Sequence, residues 1–159
     1  MNVKIACVGK LKERFYTEAV DEYAKRLSRF CALTFAEVAD ERIPETASAA
    51  MERQAVEREG ERLLARIKET EYVIALTLDG ARYSSEAFAA HLQGLLDGGR
   101  GNLTFVIGGS CGLSDAVLDR AAERVCLSDM TMPHRLCRVF LHEQIYRACK
   151  INAHEAYHK

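Results

Sequence analysis

The sequence predicts a three-layer α/β domain built around a mainly parallel sheet, and three observations carry that prediction. Runs of strand length alternate five times with stretches of helical period, the pattern of units whose helices cover both faces of a sheet. The chain has 159 residues, which suits one domain (1–159) with its own core and little else. Apolar residues make up 48% and charged residues 28%, a globular composition rather than a disordered or fibrous one.

Each element follows from its local pattern. Residues 3–8 are a short β-rich run ended by Gly9, the profile of a buried strand. Across 12–30, Phe15, Ala19, Tyr23 and Leu27 recur at i, i+4, i+8 and i+12, one stripe of a helix. Residues 33–38 read as a second strand, followed by a polar loop, 39–48, that contains Pro44. Ser48 can cap a charged helix reaching about Lys68, with Val56, Leu63 and Ile67 facing inward. The run 72–78 is apolar almost throughout and forms the third strand. Ser84 or Ser85 opens a helix through Phe88, Leu92 and Leu95, which stops in the turn Gly98-Gly99-Arg100-Gly101. A fourth strand, 103–107, runs into the glycine-rich stretch 108–112. Ser114 caps a helix to about Arg124, and 125–127 is a brief fifth strand. The last helix spans about His134 to Asn152 and leaves a tail, 153–159.

Charge narrows the partners. The 22 basic and 23 acidic residues give a net charge of −1, so a nonspecific nucleic-acid coat is excluded. An RNA partner has to be gripped by a local patch or by shape. Cysteines at 7, 31, 111, 126, 137 and 149 form no C-x-x-C pair, which fits neither a zinc site nor a disulfide scaffold. Reduced thiols in a cytoplasmic protein are expected. No apolar run approaches the roughly 20 residues that span a bilayer. The first residues, Met1-Asn2-Val3-Lys4-Ile5, lack the pattern of a signal peptide, so a soluble protein without membrane partners is expected.

In such sheets ligands sit beyond the carboxyl ends of the strands. That rule points to the loops after Leu78, Ile107 and Leu127, where two constellations lie. Gly108-Gly109-Ser110-Cys111-Gly112 lets a ligand approach backbone N–H groups closely. It matches neither the dinucleotide fingerprint nor the P-loop, but it does fit G-x-S-x-G, the elbow of serine hydrolases. An esterase with Ser110 as nucleophile and Asp129 and a histidine downstream is therefore one alternative. Against it, the best helix cap is Ser114, four residues beyond Ser110, so the serine sits in a wider loop. The second constellation, Leu127-Ser128-Asp129-Met130-Thr131-Met132-Pro133-His134, offers small polar groups and flexible methionines able to line an adenine or thioether pocket. Its plain structural reading is a strand–helix connection whose methionines fill core space. Pro133 suits the start of the last helix.

The C-terminal stretch carries His134, His142, His154 and His158 with Arg135, Arg138, Arg147, Lys150 and Lys159. His154-Glu155-Ala156-Tyr157-His158 reads as H-E-x-x-H, the zinc-protease pattern. It lies past the last apolar-periodic residues and no third ligand follows it, so no metal site is expected. The last helix is apolar on more than one side, through Leu136, Val139, Phe140, Leu141, Ile145 and Cys149. It is expected to pack against the sheet and against a second copy, giving a homodimer. Ala156-Tyr157-His158-Lys159 offers a stacking ring, an imidazole and a cation suited to an RNA loop. Beyond the last helix, only a partner subunit is expected to hold it.

Phe105-Val106-Ile107-Gly108-Gly109, Gly112-Leu113, Thr131-Met132-Pro133-His134, Arg138-Val139, Ile145-Tyr146-Arg147-Ala148 and Tyr157-His158 occur in an order and spacing that resemble the ribosomal RNA large-subunit methyltransferase H family. That family belongs to the SPOUT superfamily. The resemblance covers the whole chain and is densest from about Tyr72 onward. It implies a trefoil knot in the C-terminal half, against the general rule that folds are unknotted. It also implies a homodimer that transfers a methyl from S-adenosylmethionine to N3 of a pseudouridine in helix 69 of 23S rRNA, within the assembled ribosome. The cofactor is then expected at Leu76, Gly108, Leu127, Ser128, Asp129, Met130, Thr131 and Met132. The imide proton requires a base with a pKa near working pH, for which His158 and His134 are the candidates. Tyr157 is expected to stack or position, and Arg147 to hold phosphate or base. A noncatalytic ribosome-binding module is the remaining alternative.

Overall fold

The computed structural model describes residues 1–158. Strands β1 (Asn2–Val8), β2 (Ala32–Val38), β3 (Tyr72–Arg82), β4 (Asn102–Ile107) and β5 (Glu123–Cys126) form one sheet in the order β2-β1-β4-β3-β5, with every pair parallel. Helices α1 (Arg14–Leu27), α3 (Ser85–Asp97) and α5 (His134–Asn152) cover one face, while α2 (Ala49–Leu64) and α4 (Asp115–Arg120) cover the other. This is the three-layer α/β architecture that the alternation predicts.

The pleat decides which residue serves which layer. On β1, Val3, Ile5 and Cys7 join the cluster containing Phe105, Leu141 and Ile145, while Ala6 and Val8 join the smaller one with Leu63, Val106 and Val117. Three serines start helices as expected: the hydroxyls of Ser48, Ser84 and Ser114 accept from the N–H of Met51, Ala87 and Val117 at 3.3, 3.2 and 3.4 Å.

Several elements differ in detail from the sequence reading. On the first helix, Leu27 is buried and Tyr23 packs on the core as expected, while Phe15 is 63% exposed and Val20 is buried beside the stripe. The second helix ends at Leu64, and Ile67 lies in the turn beyond it. β3 runs four residues further than expected because it pairs with β5 twice, with Leu76 and again Ala81 opposite Val125. Gly80 makes that possible: a Cβ there would stand 2.5 Å from the Val125 backbone. The fourth helix stops at Arg120, whose guanidinium donates to the carbonyls of Lys68, Glu69 and Glu71, and Ala122 N–H already bonds Val73 O.

His142 is fully buried on α5, its ring stacked on Phe35 at 5.5 Å. Nδ1–H donates to Arg138 O at 2.6 Å, and Nε2 has no partner among the described residues. Burial, with the Arg138 charge, pushes its pKa below the ordinary 6.5. The unfolded chain therefore binds a proton near pH 6.5 that the folded chain refuses. This contribution leaves stability intact above pH 6.5 and erodes it as the pH falls below that value. The loss should appear between pH 7.5 and 5.5. Urea unfolding at the two pH values checks it: His142→Gln should lose less stability across the interval than the unaltered chain.

Candidate functional site

The loops leaving β3, β4 and β5 at their carboxyl ends enclose a cavity of about 760 Å³. Its walls are mostly apolar, from Leu76, Leu78, Ile107, Leu113, Leu127, Met130 and Met132. Thr77, Ser110, Ser128, Thr131 and His134 supply the polar groups, and Cys111, Cys126 and Cys137 also line it. Size and lining suit a small-molecule or cofactor site.

Its floor is the glycine turn. Gly112, at φ +88°, donates its N–H to Gly109 O at 3.2 Å, which folds 109–112 back on itself. Gly108 is where this closure is tightest, since a Cβ there would meet Gly112 O at 2.4 Å. The opposite wall, 127–133, is stiffened by Ser128, whose hydroxyl accepts from Met130 N–H at 3.0 Å and whose carbonyl accepts from the Cys126 thiol at 3.1 Å. Leu78 and Met130, both largely exposed, stand at the rim.

Of the eight residues expected to hold a cofactor, seven line this cavity: Leu76, Gly108, Leu127, Ser128, Met130, Thr131 and Met132. Asp129 does not, because its carboxylate turns outward to Arg82. Arg82 also donates to the carbonyls of Leu78 and Gly80 at 3.2 and 3.4 Å, tying the β3 bulge to the loop after β5. Sequence reasoning missed Arg82 because it lies past the expected end of the third strand.

His134 begins α5 directly after Pro133 and lines the cavity. Burial, then the charges of Arg138 and Arg135, lower its pKa below 6.5, so the ring is neutral at neutral pH and free to take a proton. His134, Gly109 and Ser110 also border a second, small cavity of about 60 Å³ behind the glycine turn.

Arg147, Tyr157 and His158 form a separate cluster away from this cavity. The expectation that only a partner could hold the tail is corrected by its own chain. Tyr157 packs edge-on against Tyr146 at 4.9 Å and donates its hydroxyl to Glu143 at 3.1 Å. The Arg147 guanidinium lies 4.7 Å from the Tyr157 ring centroid and bonds Glu143 at 2.5 Å. It also donates to His158 Nδ1 at 3.2 Å, which leaves Nε2–H to donate to Glu86 at 2.7 Å. Burial and the contacts to Tyr23 and Glu143 push the Tyr157 pKa far up, so the phenol stays protonated and is no base. Lys159 lies outside the described residues.

Two alternative motifs are not assembled. Ser110 is exposed at the tip of the glycine turn with Cys111 Sγ, 3.9 Å away, as its neighbour, while Asp129 is engaged by Arg82. A serine–histidine–acid relay therefore does not form, which corrects the esterase alternative. For H-E-x-x-H, α5 ends at Asn152 and His154 takes a left-handed φ of 53°, so the two imidazoles do not share a helix face. Glu155 is instead held by Arg29 and Lys150.

Comparisons with known proteins identify the family and the fold. The model of a family described as predicted SPOUT methyltransferases matches residues 1–158. Ribosomal RNA large subunit methyltransferase H of Clostridium acetobutylicum is 50% identical over 159 residues, covering all of both chains. The protein of the same name from Bifidobacterium animalis subsp. lactis is 52% identical over the same span. A methyltransferase of Legionella pneumophila, solved with its cofactor SAM bound, shares the fold at 10% identity and a TM-score of 0.51. That alignment covers 93% of this chain and 66% of the other. The chain belongs to the SPOUT methyltransferases and, within them, to the ribosomal RNA large-subunit methyltransferase H family.

Proposed function

We propose that the chain, acting as one domain, methylates N3 of a pseudouridine in helix 69 of 23S rRNA, using S-adenosylmethionine, on the assembled ribosome in the cytoplasm. The observation that carries this reading is the apolar cavity floored by the glycine turn, with a neutral histidine in its wall. The residues present fit that cofactor: methionine and leucine walls suit an adenine and a thioether, and the tight closure at Gly108 exposes backbone groups to polar atoms. When bound, it supplies a methyl already activated on a sulfonium. The chain has then to hold the base nitrogen in line and remove its proton.

His134, neutral and in the wall, and His158 are the two candidates for taking that one proton. Arg147, Tyr157 and His158 do not line the cavity of their own chain, which supports their serving the cavity of a second copy. The exposed Leu136 on α5 offers an apolar contact for that homodimer. We take the loops 108–112 and 127–133 to belong to the trefoil knot typical of the family. No described helix is long and apolar enough to cross a membrane.

The test is transfer of labelled methyl from S-adenosylmethionine to assembled ribosomes lacking this modification, with free rRNA as comparison. Label is expected on one pseudouridine of the assembled particle. Binding to the particle without transfer would instead make the chain a noncatalytic module, and no label on either substrate overturns the proposal.

A further inference from the structure

Behind the glycine turn, the cavity of about 60 Å³ has room for about two waters and is lined mostly by polar residues, with Val8, Gly9 and Gly109. One of them, Glu59 on α2, is 6% exposed and forms no ion pair among the described residues. Its Oε1 accepts from Glu41 N–H at 2.8 Å. Oε2 accepts no hydrogen bond among the described residues and lies against Gly109, 3.0 Å from where a Cβ would stand. The neighbouring carboxylates differ: Glu41 is taken by Arg62 and Arg58, and Asp40 is exposed. His134 borders this cavity and the large one, so it connects the two.

Resting on the methyl-transfer reading above, we propose that Glu59 takes, through the small cavity, the proton that His134 removes from the base. The nitrogen lone pair forms the new N–C bond, with the C–S electron pair left on sulfur. The N–H electrons stay on the nitrogen, and the proton passes to the His134 ring, across water, and onto Glu59 Oε2. His134 cannot keep that proton easily, because it is half-buried beside Arg135 and Arg138. Burial and the charges of Asp40 and Glu41 raise the Glu59 pKa above 4.5, against the opposing pull of its hydrogen bond from Glu41 and of Arg62. Lys10, Lys12 and Arg135 also border the cavity and complete its charged lining. The two environments push histidine and carboxyl toward each other in proton affinity, which is what a transfer pair requires.

Single-turnover methyl transfer to assembled ribosomes, from pH 6 to 9, tests this with Glu59→Gln, which keeps an oxygen for Glu41 N–H. The variant should be about tenfold slower or more at pH 7, with the deficit closing as hydroxide takes over the proton at higher pH. Its cofactor affinity, by equilibrium binding, should stay within about twofold. Equal rates at every pH, a deficit independent of pH, or a matching loss of cofactor affinity would each overturn the relay. If the unaltered chain itself transfers no methyl, the methyl-transfer reading fails first and takes the relay with it.

Discussion

Replacing Arg138 by alanine should lower the unfolding free energy by about 3–5 kcal/mol, because two buried backbone carbonyls lose their charged donor and a large buried side chain is removed. Arg138 is 2% exposed in the middle of the α5–sheet interface. One terminal nitrogen donates to both Val8 O and Gly9 O at 2.6 Å, and the other to Glu37 at 2.9 Å. The side chain thereby fastens the first turns of α5 to the carboxyl end of β1, just where the site loops converge. Truncation strands two buried backbone carbonyls and leaves the exposed Glu37 carboxylate unpaired. Thermal unfolding should show a fall in Tm of about 6–20 °C for a chain of this size. Arg138→Lys should recover little, since one ammonium cannot span three acceptors placed for a guanidinium fork. The double variant Arg138→Met with Glu37→Leu separates the contributions. It removes the unpaired carboxylate but leaves the carbonyls of Val8 and Gly9 without a donor, so recovery should be partial. Full recovery would mean that the carbonyl contacts contribute nothing.

Much of this architecture is legible because local and global signals agree. β1 and β4 sit at the centre of the sheet, so their sequences are nearly continuous apolar runs. The caps at Ser48, Ser84 and Ser114 act within three residues of themselves. What escapes is set by distant partners. The second pairing of β3 depends on Gly80 meeting the Val125 backbone, 45 residues away, and no periodicity in either segment records it. Arg120 ends α4 early by reaching carbonyls at 68–71, again across the fold. The cavity loops could be located by the strand-end rule, and seven expected residues do line them. Asp129 shows the limit of that rule: it sits in the right loop, but Arg82 turns it away. Glu59 carried no sequence signal, being one glutamate in a charged helix. Only its burial against Gly109 distinguishes it.

Deleting residues 157–159 should abolish methyl transfer while leaving cofactor affinity nearly intact, and His158→Ala should lower turnover by about 10²–10⁴-fold. The tail packs in its own chain, so a deletion also uncovers Tyr146 and takes one partner each from Glu143 and Glu86. The point variant avoids most of that disturbance and is the cleaner probe. Whether the tail serves its own cavity or a partner's can be decided by mixing two defective chains. One lacks 157–159; the other carries Gly108→Ala, whose methyl would stand 2.4 Å from Gly112 O and spoil the cavity floor. If the tail acts across a dimer, a mixed pair contains one sound cavity facing one sound tail. Random reassociation of equal amounts then restores about a quarter of the unaltered activity, from half the dimers having one of two sites complete. If the tail acts within its own chain, every cavity in the mixture lacks either its floor or its tail, and activity stays at background. The second result would also remove the argument for dimerisation that rests on the tail. The apolar face of α5, with Leu136 42% exposed, would then have to support it alone.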